Sequence, residues 1–223
     1  MSYRIFTSES VCSGHPDKIC DQISDAIVDA CIKQDKNSRV AVETLVTTNN
    51  VVLAGEVTTK AKVNFEQIAR DVIRELGYDK KIYNFDYKSA KIKVLIHTQS
   101  PDIATGVEDG GAGDQGMMFG YACDETPQFM PLPIRVAHQI ARKIDEARVG
   151  ELKYLRPDGK SQVTFSYVGG KPKEVLNAIT AVPHDPRVSQ KKVARDIYEV
   201  IIRPALAKFG FKINFKDTIC NGT

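Results

Sequence analysis

One order of hydrophobic patterns occurs twice along this chain, and it restricts the fold more than any single motif does. Over residues 16–35, Ile19, Ile23, Ile27, Ala30 and Cys31 recur at helical spacing. Residues 40–46 and 51–57 read as strands, with Asn49-Asn50 as the tight turn between them because asparagine tolerates positive φ. Asn64 followed by Gln67 resembles a capping box, Phe65, Ile68, Val72 and Leu76 mark a second helix, and Gly77 is placed to end it. Residues 92–98 form a further strand. The same order then returns. Pro131-Leu132-Pro133 opens a helix carrying Val136, Ile140, Ile144 and Ala147, and two strands (162–167 and 174–182) flank a turn at Gly169-Gly170. Ser189 caps a helix with Val193, Ile197, Val200 and Ile201, interrupted at Pro204 and closed by Gly210, and residues 211–215 are the last strand. The offset of about 115–125 residues is too long for a solenoid period. The prediction is an α+β fold of two repeated two-layer domains, residues 1–99 and 117–223, each with helices on one face of a mainly antiparallel sheet. The glycine-rich residues 100–116 join them; two unrelated halves sharing an α+β order is the competing account.

Composition narrows the function classes. The 223 residues are 42% hydrophobic and 26% charged, as in a globular protein with a substantial core. A net charge of +3 argues against nucleic-acid or membrane partners. No apolar run is long enough to span a bilayer, and the first residues lack the apolar stretch of a secretory signal. Five cysteines form no CxxC pair, so reduced thiols in a cytoplasmic protein are expected; Cys20 and Cys31, eleven residues apart, suit one buried helix face.

The stretch Gly14-His15-Pro16-Asp17-Lys18 is the clearest chemical motif. Proline suits the first helical position, which puts His15 at the N-cap and Asp17 in the first turn. Free amides and a positive partial charge at that helix end suit a polyphosphate carried with a metal ion, and an ordinary capped helix with a solvated first turn fits as well. Asp17, Asp21, Asp25 and Asp29 lie on one stripe, read as a solvated face apart from Asp17. A turn at Asn49-Asn50 sets Glu43 directly opposite Glu56, so that either a cation lies between them or both face water. Residues 91–99 alternate, with Lys93, Leu95, His97 and Gln99 on one face. Residues 100–116 hold five glycines and no lysine, which excludes a Walker loop and leaves a hinged lid or a plain linker. His138 and His184 lack metal-ligand spacing and read as structural or surface residues.

Three longer segments, in order, carry a family resemblance. They are residues 6–11 with 14–19 and 21–26, residues 99–103 with 111–116 and 118–122, and Arg156-Pro157-Asp158-Gly159-Lys160-Ser161-Gln162-Val163-Thr164. Together they resemble the methionine adenosyltransferases, or S-adenosylmethionine synthetases, over the whole chain. The resemblance implies attack of the methionine sulfur on C5′ of ATP, with the triphosphate displaced and cut to pyrophosphate and phosphate. It implies His15 and Lys160 as catalytic residues at the triphosphate, and ATP bound by His15, Asp158, Gly159 and Lys160. It implies Mg²⁺ on Asp17, K⁺ on Glu43, and methionine bound by Glu56, Gln99 and Asp114, with residues 99–115 as a gating loop. It also implies a homodimer or homotetramer with active sites between subunits.

Three departures stand out. Cys12-Ser13 replaces a small residue followed by glutamate, the lid is shorter than in many bacterial members, and the family pattern continues past Thr223 into a third repeat. The expectation is that the chain as given is inactive or only partly active. The alternatives are a non-catalytic module that regulates or binds a partner and, more weakly, a triphosphate hydrolase.

Overall fold

The computed structural model describes residues 3–98 and 116–222. Its strands form two sheets within two compact units.

The unit that begins at Pro16 and runs to Phe119 holds the first repeat. Helix α1 (Pro16–Gln34) buries Ile19, Ile23, Ile27 and Cys31, as the 3.6-residue spacing dictates, while Asp17, Asp21, Asp25 and Asp29 all stay exposed. Each fully buried isoleucine contributes about 1.5–3 kcal/mol. Strands β2 (Arg39–Thr47) and β3 (Asn50–Thr58) pair antiparallel, and β4 (Lys91–His97) joins β3 in parallel. Helix α2 (Phe65–Glu75) lies between β3 and β4 in sequence, and the Asn64 side chain accepts the Gln67 N–H at 3.0 Å as the capping pattern predicts. Ile19, Ile23 and Ile27 meet Val51, Leu53, Ala69 and Ile73 in one core between helices and sheet.

The hairpin register differs from expectation. Thr47 pairs with Asn50, so the two-residue loop is Thr48-Asn49, and Asn49 alone takes the positive φ of 53°. The Lys91 N–H donates to the Asn49 carbonyl and the Asn49 amide to the Ser89 carbonyl, which holds this residue in the turn. Glu43 consequently faces Ala54, and Glu56 faces Ala41. The two glutamates are diagonal neighbours on one face, about 7–8 Å apart, rather than directly opposed.

The second unit contains residues up to His15 together with those from Gly120 onward. Its sheet runs β1 (Tyr3–Val11), β5 (Lys160–Val168), β6 (Lys171–Ala181), β7 (Thr218–Asn221). The β5–β6 hairpin closes through Gly169 and Gly170 at φ of 60° and 80°, the conformation for which paired glycines are suited. Helix α3 (Leu132–Val149) packs Val136, Ile140 and Ile144 against Val163 and Phe165. β7 is parallel to β6, just as β4 is parallel to β3, so the two repeats share a topology.

Three features of this unit depart from expectation. Tyr3–Val11 is a strand that the hydrophobic pattern did not predict; it pairs antiparallel with β5, which groups residues up to His15 with those from Gly120 onward. Helix α4 (Gln190–Asp196), capped by the Ser189 hydroxyl, passes through a π-helical turn (Ile197–Ile202) into α5 (Arg203–Ala207). Pro204 has no N–H for the Val200 carbonyl and its ring crowds that group, so the helix widens instead of stopping. Residues 211–214 are not a strand: Phe211 packs edge-on against Phe165, the Tyr198 hydroxyl donates to the Ile213 carbonyl at 3.0 Å, and the last strand is β7.

Candidate functional site

β1 and β5 bring the two longest motifs together. Val11 pairs with Lys160, the first residue of β5. The chain then leaves the sheet along Pro157–Gly159. The Cys12 N–H donates to the Gly159 carbonyl at 2.8 Å. Gly14 lies so close to Pro157 that a Cβ there would fall 2.5 Å from the Pro157 carbonyl oxygen. A Cβ on Gly159 would stand 2.6 Å from the Cys12 sulfur. Both glycines are required by close approach, not by backbone angle.

Helix α3 holds the loop from its other side. The Cys12 thiol donates to the Ala141 carbonyl at 3.5 Å, and the Asp145 carboxylate accepts the Ser13 N–H at 2.9 Å. Burial, then the nearby Asp145 and Asp158 carboxylates, push the Cys12 thiol far above its usual range, so it stays neutral. The His15 N–H closes a turn onto the Cys12 carbonyl at 3.1 Å, and His15 is 8% exposed. One unit thus gathers His15, Asp158, Gly159 and an exposed Lys160 at one end of its sheet. Buried polar atoms are normally paired. Among the described residues, Asp145 Oδ1, Asp158 Oδ1 and Arg148 Nε are buried with no hydrogen-bond partner.

The other unit carries the remaining candidates. Asp17 is exposed in the first turn of α1, directly after Pro16. Glu43 and Glu56 lie on the outer face of the three-stranded sheet, where the parallel register sets His97 beside Glu56. Gly55 has φ of 142°, and a Cβ there would meet the Ala41 carbonyl, so this glycine lets β3 lie against β2 where Glu56 is presented. Gln99 and Asp114, with most of the expected gating loop, lie outside the described residues. Among the described residues no group of three His, Cys, Asp or Glu side chains could hold a metal by itself.

His138 and His184 have structural contacts. The first shares a 2.7 Å hydrogen bond with Ser10, and the second is 8% exposed between Gln190 and the Asp185 carbonyl. Sequence reasoning missed Asp145 and Gly55. A lone aspartate on a helix and a glycine in a strand carry no local signal for a loop 132 residues away or for a tight strand approach.

Fold and site together define a tandem α+β-repeat protein whose β1–β5 end assembles a histidine, a carboxylate and a lysine. The family model for S-adenosylmethionine synthetase, N-terminal domain, matches residues 3–101, and that for the central domain matches residues 109–221. The S-adenosylmethionine synthase of Oleidesulfovibrio alaskensis is 49% identical over 218 residues, covering 95% of this chain and 56% of the relative. The chain belongs to the S-adenosylmethionine synthetase family. It spans little more than half the length of that curated relative.

Proposed function

We propose that this chain is part of an enzyme that makes S-adenosylmethionine from ATP and L-methionine, releasing phosphate and pyrophosphate. The observation that supports the reading is the clamp of the Cys12–His15 loop onto the Pro157–Lys160 segment, which sets two of the family motifs side by side.

A thioether is a weak nucleophile, so the barrier falls chiefly through alignment and through stabilising charge on the departing triphosphate. His15 donates a hydrogen bond toward the oxygen leaving C5′. Lys160 supplies a cation for the phosphates, and Asp158 and Gly159 complete the ATP contacts. Asp158 Oδ1, which has no hydrogen-bond partner among the described residues, fits a nucleotide donor. Asp17 fits Mg²⁺, which takes one or two carboxylates plus substrate phosphates rather than an all-protein cage. Glu43 serves K⁺. Both ions would supply positive charge for the phosphates and the site. Glu56 receives the methionine ammonium, and Gln99 and Asp114 complete methionine binding within the gating loop.

Self-association as a homodimer or homotetramer is supported by the open outer sheet face, where Leu45 is 58% and Leu95 is 39% exposed. A cytoplasmic location is supported by five free cysteines. No helix among the described residues is long and apolar enough to cross a membrane.

The test is direct. The full-length protein with ATP, methionine, Mg²⁺ and K⁺ is expected to yield S-adenosylmethionine, pyrophosphate and phosphate in equal amounts. Phosphate release that ignores methionine, without the sulfonium product, would establish a hydrolase instead. Glu56→Gln in that protein is expected to raise KM for methionine about tenfold, the cost of weakening a charge-assisted hydrogen bond, with KM for ATP unchanged. Equal loss for both substrates contradicts the assigned role. Asp17→Asn is expected to shift the Mg²⁺ activation curve to higher concentration, and an unchanged curve removes Asp17 from the metal site.

A further inference from the structure

We propose that Asp145 is a positioning residue: through the Ser13 N–H it sets the loop that presents His15. The inference rests on the proposed function for its activity readout but stands on geometry of its own. Asp145 belongs to α3, the central helix of its unit's core, where Ile140, Ala141 and Ile144 are buried. One carboxylate oxygen takes the Ser13 N–H at 2.9 Å, and the other is buried with no hydrogen-bond partner among the described residues. Ala141, one turn earlier on the same helix, accepts the Cys12 thiol. Two successive loop residues are therefore hung from one rigid helix, and the loop's far side rests on Gly159 and Pro157.

A partly buried carboxylate is costly, and a neutral acceptor would satisfy one amide at lower cost. The charge makes that hydrogen bond shorter and stronger than a neutral one, which suits a group that must fix a backbone position. His15 lies two residues beyond Ser13, and its own N–H is tied to Cys12. The position of Ser13 is thereby passed to the imidazole. Functional groups held by rigid elements keep their geometry better than those held by loops alone.

The test compares Asp145→Ala and Asp145→Asn in the full-length protein. Hydrogen exchange of the peptide spanning residues 11–19, kcat, KM for methionine and thermal midpoint are measured on each. For Asp145→Ala, exchange in that peptide rises about tenfold as local opening becomes easier. Its kcat falls at least about tenfold, because misplacement of a reacting group by about 1 Å is that costly. KM for methionine does not change. The asparagine variant, whose side-chain oxygen still accepts from Ser13 but without the charge, recovers part of both losses and falls between alanine and wild type. Unchanged exchange in the alanine variant overturns the proposal. So does faster exchange with unchanged kcat, and so does an asparagine variant as impaired as alanine. If the wild-type protein forms no S-adenosylmethionine, the functional reading fails separately, and calorimetric affinity for inorganic tripolyphosphate replaces kcat as the readout for Asp145.

Discussion

His15→Ala is expected to lower kcat for S-adenosylmethionine formation by about 10²–10³-fold, the usual cost of removing one donor to a developing oxyanion. The fold is expected to survive. The backbone N–H groups of Cys12, Ser13 and His15 and the Cys12 thiol all anchor the loop, and His15→Ala leaves every one of these groups in place. His15 is largely buried, so some packing is lost, and a decrease of about 1 kcal/mol is typical for a single substitution. The measurement is kcat beside a thermal melt on the full-length protein. A kcat within threefold of wild type would remove His15 from the chemistry. A large loss of stability would reassign it to the fold. Asparagine at the same position keeps a donor of similar reach and is expected to recover part of the rate.

Gly14→Ala is expected to damage stability and activity together. The added Cβ would meet backbone atoms of Pro157, at 2.5 Å from the carbonyl oxygen and 2.6 Å from the carbonyl carbon. Backbone cannot rotate away as a side-chain tip can, so either the loop or the Pro157–Lys160 segment must shift. Overpacking of this kind costs about 1–3 kcal/mol. For a domain of this size each kcal/mol lowers Tm by about 2–4 °C. Because the loop carries His15 and the opposing segment carries Asp158 and Lys160, kcat falls with Tm. Gly120→Ala is the matched control. It has open space around its Cβ position and no positive φ, and it is expected to lie within about 0.5 kcal/mol of wild type. A Gly14→Ala protein with wild-type Tm and kcat would show that the clamp yields without consequence.

Much of the local structure was legible beforehand for a physical reason. Helix α1 and its four buried residues follow from a 3.6-residue period contained in one segment. The Asn64 and Ser189 caps and the Gly169-Gly170 turn depend on residues within three positions of one another. The failures have equally specific causes. The hairpin turn falls at Thr48-Asn49, one residue before the Asn49-Asn50 that the sequence predicts, because two adjacent asparagines both suit positive φ and contacts from Ser89 and Lys91 select the first. Residues 211–214 alternate like a strand, yet Phe211 and Ile213 serve the core from a loop.

The candidate site divides in the same way. The sequence alone determined the repeat, the start of α1 at Pro16 between His15 and Asp17, and the shared face of Glu43 and Glu56, which survives a two-residue change of register because side chains alternate with period two. Only the tertiary structure decided that β1 belongs beside β5, that Gly14 must be glycine to lie on Pro157, and that Asp145 holds Ser13. Those contacts join residues more than a hundred positions apart. Neither partner carries a pattern that identifies the other, and packing of the whole unit is what selects the pair.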